Sequence, residues 1–214
     1  VTTTEVPGRA WFARDVHVVA RDLLGALVTR HTSEGTVTVR LTEVEAYAGA
    51  ADPGSHAYRG ETARNRTMFG EPGHVYVYRH LGLHHCMNVV CSPRDAASAV
   101  LLRAGEVVEG VGLARARRAA AGVTRSDVDL ARGPARLTVA LGIGLADDGE
   151  DVTDPAGALV LRVGPGTAGD VATGPRVGVS GDGGRADLFP WRAWLVGDPT
   201  VSSYRAAISR RRPR

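Results

Sequence analysis

The 214-residue chain contains no lysine, so all 26 of its basic side chains are arginine. That absence removes the side-chain amine on which Schiff-base chemistry depends. It leaves guanidinium groups, which make bidentate phosphate contacts that an ammonium cannot. Long apolar runs are missing too: no stretch of 18 or more apolar residues offers a transmembrane helix, and no signal peptide is evident. The expectation is a cytoplasmic protein with no membrane attachment, nucleoid-associated if bacterial. With only two cysteines, Cys86 and Cys91, the chain has no disulfide framework and suits a reducing compartment. A net charge of +3 and a pI near 9.2 are modest for a nucleic-acid binder, and predict binding that weakens with salt. The hydrophobic fraction of 43% supports a real core, and no linker-like shift in composition divides the chain. One domain over residues 1–214 is expected, acting as a monomer, with residues 1–5 and about 207–214 disordered.

What the chain has is concentrated between Leu41 and Cys91, where acids, aromatics, histidines and arginines occur together. From Val37 the odd positions read Val37, Val39, Leu41, Glu43, Glu45, Tyr47, so a period of two carries an apolar strand face directly into two carboxylates and a tyrosine. A half-buried carboxylate is raised in pKa by burial and lowered by a nearby arginine, and can be tuned to take a proton from water. The plainer reading is a strand end reaching solvent. A second strand signal, Val75 to Tyr78, is followed by Arg79, His80, Leu81 and Gly82 and then by Cys86 to Val90, which reads as a β-hairpin. An aliphatic residue at a tip, flanked by a cation and a histidine, suits a wedge of the kind pushed between base steps. A tip packed against its own protein remains the alternative.

Between strand and hairpin, Gly49 to Gly73 is long enough to be functional, and Arg59, Thr62, Arg64 and Arg66 are candidates for phosphate contact; Met68 and Phe69 anchor it. The cluster His74, His80, His84, His85, Cys86 and Cys91 matches no tight metal-ligand spacing, so no metal is expected. Gly164, Gly166 and Gly169 satisfy G-x-G-x-x-G in form, but Pro165, Gly174 and Pro175 prevent the helix a dinucleotide needs; no cofactor is expected.

Elsewhere the spacing Phe12, Val16, Val19, Leu23 predicts one helix stopped by Gly25, and Ala26 to Thr29 a strand. Val100 to Val108 reads as a strand carrying Arg103. Gly112 to Ala121 reads as a helix with Arg115, Arg117 and Arg118 on a solvated face, and Pro134 opens another helix. Val177 to Pro190 reads as a Gly-rich loop and Trp191 to Val196 as a strand.

The segments EVEAYAGADPGSHA, RNRTMFGEPGHVYVY, GLHHCMNVV and AVLLRAGEVVEG resemble, in order, the motifs of the 3-methyladenine (alkyladenine) DNA glycosylase family. The similarity continues through RGPARLTVALGI to PRVGVS and WRAWLVGDPTVS. The resemblance implies a mixed α/β (α+β) domain with a curved, largely antiparallel sheet, flanking helices and a projecting hairpin. It implies a partner, double-stranded DNA carrying damaged purines, and an activity, the flipping of alkylated or deaminated purines and hydrolysis of the N-glycosidic bond. In it Glu45 is the general base, Arg103 helps hold the water, and the backbone carbonyl of Val177 assists. Tyr47, His56 and Tyr78 surround the flipped base, and Asn88 crowds the amino group of normal guanine. Leu81 stands at the wedge, where familiar members carry tyrosine. Without lysine, such an enzyme is expected to be monofunctional and to leave an abasic site. Two rivals are a non-catalytic binder of distorted DNA and a metal-dependent nuclease built on Glu43, Glu45 and Asp52.

Overall fold

The computed structural model describes residues 4–164 and 169–207. It is an α+β structure organised on one open antiparallel sheet. Among the described residues the strands are β1 (Leu27–Thr32), β2 (Gly35–Ala48), β3 (Val75–His80), β4 (His84–Cys91), β5 (Ser98–Glu109), β6 (Ala131–Arg132), β7 (Leu159–Arg162), β8 (Val171–Gly174) and β9 (Arg192–Leu195). The main order is β3-β4-β5-β2-β1-β7, with β6 added to β5, and β9 joining β2 to β8. The helices α1 (Arg9–Phe12), α2 (Val16–Asp22), α3 (Val111–Ala121) and α4 (Pro134–Leu141) are short. No helix among the described residues is long and apolar enough to cross a membrane.

Strand β2 is the axis of the fold. One edge pairs with β5 along its length, while the other pairs with β1 through residues 35–40 and with β9 through residues 43–45. The core collects against one face of this sheet: Val37, Val39 and Leu41 from β2, Val100 and Leu102 from β5, Met87 and Val89 from β4, and Leu137 and Leu141 from α4 are all buried there. A smaller apolar cluster of Ala57, Met68, Tyr76, Val90, Ala97 and Ala99 holds the loop 49–73 to the sheet, as expected of Met68, with Phe69 and Tyr78 packed on it.

Several expectations need correction. The helix expected from Phe12 to Leu23 is two helices, because Asp15 is an N-cap whose carboxylate accepts from the His17 and Val18 N–H groups and restarts the helix there. All four periodic residues are nevertheless buried. The face of α3 is not uniformly solvated: Arg115 is exposed and paired with Asp127, Arg117 lies against Glu34, and Arg118 is buried. Strand β8 was not anticipated. Glu5, placed in a disordered leader, bridges to Val163. The remaining calls of disorder, on residues 1–3 and 208–214, fall outside the described residues, as do Pro165 and Gly166 of the glycine-rich decoy.

Candidate active site

The site is made by a defect in the sheet. Leu41 pairs with Gly105 and Glu43 with Ala104, so Thr42 is an extra residue on β2; Val44 then pairs with Leu102, so Arg103 is an extra residue on β5. These paired bulges reverse the alternation of both strands. Val44 and Ala46 take the core positions that strict alternation assigned to Glu43 and Glu45. The carboxylates therefore do not continue the apolar face; they stand on the opposite one. Nor do they reach solvent, since both residues are 0% exposed.

Their surroundings differ. Glu43 accepts from Arg103 Nε at 2.9 Å, Arg192 Nε at 2.6 Å, and the Ser202 hydroxyl and N–H at 3.0 and 2.8 Å. It is a saturated structural acid. Glu45 accepts from the Val177 N–H at 2.7 Å and the Tyr47 hydroxyl at 2.8 Å, and its Oε1 lies 3.3 Å from Arg103 Nη1. Arg103 thus bridges the two acids. The contact recorded for Val177 is its N–H on the carboxylate, not the carbonyl singled out from the sequence.

Glu45 and Arg103 border a cavity of about 310 Å³ walled by Tyr47, His56, Tyr76, Tyr78 and Asn88. That volume is near the lower end of the range for small-molecule pockets, about 300–1,000 Å³. The wall follows from register. Tyr76 pairs with Asn88 and Tyr78 with Cys86, so even-numbered residues of β3 and β4 face the cavity while Val75, Val77, Met87 and Val89 face the core. Tyr76 and Tyr78 stack with centroids 5.4 Å apart, and the His56 ring meets Tyr78 edge-on at 4.5 Å. His56 Nδ1 is 3.1 Å from the Tyr76 hydroxyl. Burial, reinforced by Arg64 and His80, pushes the His56 pKa down to about 4, so the ring is neutral at ordinary pH. Burial raises Tyr76 to about 12, and raises Tyr47 and Tyr78 as well; all three keep their protons. The Asn88 amide donates to the Tyr76 carbonyl at 3.1 Å.

The hairpin tip is free rather than packed. Leu81 and Leu83 are 78% and 79% exposed, and Arg79, His80 and Gly82 are exposed beside them. Positive φ at Leu81 (50°) and Gly82 (71°), with the Leu83 N–H donating to the His80 carbonyl at 3.1 Å, makes a turn of the primed hairpin kind. Arg59, Thr62, Arg64 and Arg66 are all exposed on the neighbouring loop. The Arg64 guanidinium lies 5.4 Å from the Tyr78 ring at the cavity rim, Arg66 approaches Glu61 at 3.4 Å, and Thr62 is tied to Asn65.

Sequence reasoning missed Arg176, which is fully buried and bidentate to Asp52. It also missed the Arg192–Glu43–Ser202 cluster. Both arginines lie in segments that resemble the family, PRVGVS and WRAWLVGDPTVS, but nothing local to them assigns a role, and only the burial of an acid demands one. These partners undo the metal-nuclease reading, because Glu43 and Asp52 are each neutralised by arginine. The histidines and cysteines scatter: Cys86 lines the cavity, Cys91 is in the core, and His74 bonds Arg9. Among the described residues no three acidic, histidine or cysteine side chains are grouped to hold a metal.

Residues 10–199 match the family model described as methylpurine-DNA glycosylase (MPG). A protein of Streptomyces avermitilis, provisionally named a 3-methyladenine DNA glycosylase, is 57% identical over 206 residues, 95% of this chain and 94% of that one. One from Leifsonia xyli subsp. xyli with the same name is 56% identical over 205 residues, again 95% and 94% of the two chains. A Mycobacterium tuberculosis protein of that name is 44% identical over 198 residues, 90% and 91% of the two chains.

Proposed function

From the chain's membership of the methylpurine-DNA glycosylase family, and so from its being a DNA-repair glycosylase, we propose that it excises 3-methyladenine and related alkylated or deaminated purines by hydrolysis at Glu45. The chain acts as one domain and as a monomer on duplex DNA. The observation that carries the reading is a carboxylate, 0% exposed, in the wall of an aromatic cavity open to a base.

The N-glycosidic bond inside a duplex is out of reach of water, so the nucleotide is extruded and Leu81, with Arg79, His80 and Gly82 around it, occupies the gap. The base enters between Tyr47, His56 and Tyr78. Stacking on such rings is worth about 1–3 kcal/mol per base, and a purine made cationic by alkylation gains a cation–π term on the protonated tyrosines. His56, neutral, offers one donor and one acceptor rather than a repelling charge. Asn88 stands where the amino group of guanine would press, which disfavours the normal base. Thr62, Arg64 and Arg66 meet phosphates at the rim.

Water then attacks C1′. Glu45 takes its proton, the new C1′–O bond forms as the C1′–N bond breaks, and the bonding electrons leave with the base, which departs neutral if it was cationic. Arg103 steadies the carboxylate and the water. The products are a free base and an abasic site, and the sequence, which holds no lysine, offers no side-chain amine for a covalent Schiff-base adduct with the DNA.

The test is release of free base from duplexes each carrying one defined lesion, in excess chelator, wild type beside Glu45→Gln. The variant should bind lesion DNA within a few-fold of wild type and release base at least about 100-fold more slowly, the usual range for a lost general base. Equal release by both proteins removes Glu45 from the chemistry. Binding without release by wild type, on every lesion tried, favours a non-catalytic binder. A complex trapped by borohydride refutes the monofunctional mechanism.

A further inference from the structure

Arg176 is among the largest fully buried side chains of the protein, yet it stands behind the cavity wall rather than in it. Four of its five N–H groups are placed. Nη1 donates to Asp52 Oδ2 at 2.5 Å and to the Ala46 carbonyl at 3.0 Å; Nη2 donates to Asp52 Oδ1 at 2.7 Å and to the Gly183 carbonyl at 2.8 Å. Among the described residues Nε finds no partner. The guanidinium also lies 4.4 Å from the centre of the Tyr47 ring.

Those acceptors belong to three separate segments. Ala46 sits between Glu45 and Tyr47 on β2. Asp52 opens the turn that supplies Pro53 and Gly54 to the cavity, and Gly183 closes the loop whose residues 177–180 form the facing wall. The residue next to Arg176, Val177, is the one whose N–H reaches Glu45. Glycines let the segments meet: a Cβ on Gly54 would lie 2.4 Å from Arg176 Nη2, and one on Gly183 would lie 2.5 Å from the Gly54 nitrogen.

Stability is a poor account of this arrangement. A fully buried ion pair rarely outperforms apolar packing of the same volume, and this one leaves an N–H unsatisfied. Placement accounts for it better, because a single rigid fork fixes the relative position of the carboxylate, the ring and the loop. We propose that Arg176 and Asp52 are the positioning pair of this active site, holding the Val177 N–H on Glu45 and backing the Tyr47 ring against which the base stacks. The inference rests on Glu45 being the general base.

The test is single-turnover base release as a function of pH, for wild type, Glu45→Gln, the double variant Arg176→Met with Asp52→Asn, and Gly183→Ala. The double variant removes both charges at once, so neither is left buried alone. Gly183→Ala keeps both charges and crowds the loop off Gly54, so it tests the same placement should the double variant fail to fold. Losing a hydrogen bond to a carboxylate raises its pKa. The acid limb of the rate profile should therefore move to higher pH in either variant, and the rate at neutral pH should fall about 10- to 100-fold, the cost of a misplacement near 1 Å. A merely structural role lowers the folded fraction and leaves the limb where it was; an unmoved limb in both variants overturns the proposal while the Glu45 reading stands. Full activity in Glu45→Gln overturns both.

Discussion

Leu81 separates folding from function more sharply than any other residue of the site, because the two demands on it have opposite signs. In the free protein it is 78% exposed with φ at 50°. A leucine in the left-handed region costs about 1–2 kcal/mol, and its exposed side chain contributes little packing to offset that. Replacing it with glycine removes the strain, against an entropic cost of about 0.5–1 kcal/mol, so Leu81→Gly should fold as stably as wild type or up to about 1.5 kcal/mol more stably. If Leu81 is the wedge proposed above, the balance inverts in the DNA complex. Burying a leucine side chain fully is worth about 1.5–3 kcal/mol, and with most of its surface still exposed the loss on deletion comes to about 1–2 kcal/mol, a factor of about 5–30 in the population of extruded nucleotide. Thermal unfolding read beside equilibrium binding to lesion and undamaged duplexes measures both terms. A variant that unfolds at lower temperature and binds lesion DNA undiminished would show that the tip is packed in the protein and idle on DNA, refuting the wedge.

Two further outcomes follow from the geometry. Glu43→Gln should be the more destabilising of the two acid-to-amide changes, by about 3 kcal/mol or more, because it strips buried Arg192 of its carboxylate and leaves Arg103 only its longer contact to Glu45; Glu45→Gln leaves Arg103 its bond to Glu43 and should cost about 1 kcal/mol or less. Urea titration of the two variants checks the order, and the reverse order contradicts the division into structural and reacting acids. His56 has a folded pKa of about 4 against an ordinary value near 6.5, so the unfolded chain binds more protons between those values and stability falls as pH drops through that window. His56→Gln should flatten this part of the stability profile; an unchanged slope would mean that another group titrates there.

Much of this could be read from residue order alone, and the failures have physical causes. Local signals survived because they are local: Pro134 and Gly142 bound α4, and Gly82 turns the hairpin; Tyr76, which the register of β3 and β4 puts beside Tyr78 and Asn88 in the cavity wall, was not singled out. The residues that resemble the glycosylase motifs gather around one cavity. What was illegible depends on pairing between distant strands. Nothing in the β2 sequence marks Thr42 as a bulge, since it is created jointly with Arg103, about 60 positions away, and exists only once β2 and β5 lie in register. Strict alternation therefore put Glu43 and Glu45 on the apolar face, where neither acid has a partner. The bulge pair carries both across to the face where Arg103 itself emerges, and where β9 and its flanking loops bring Arg192, Ser202 and Val177. The irregularity that defeats the sequence pattern thus also assembles the acid with its arginine.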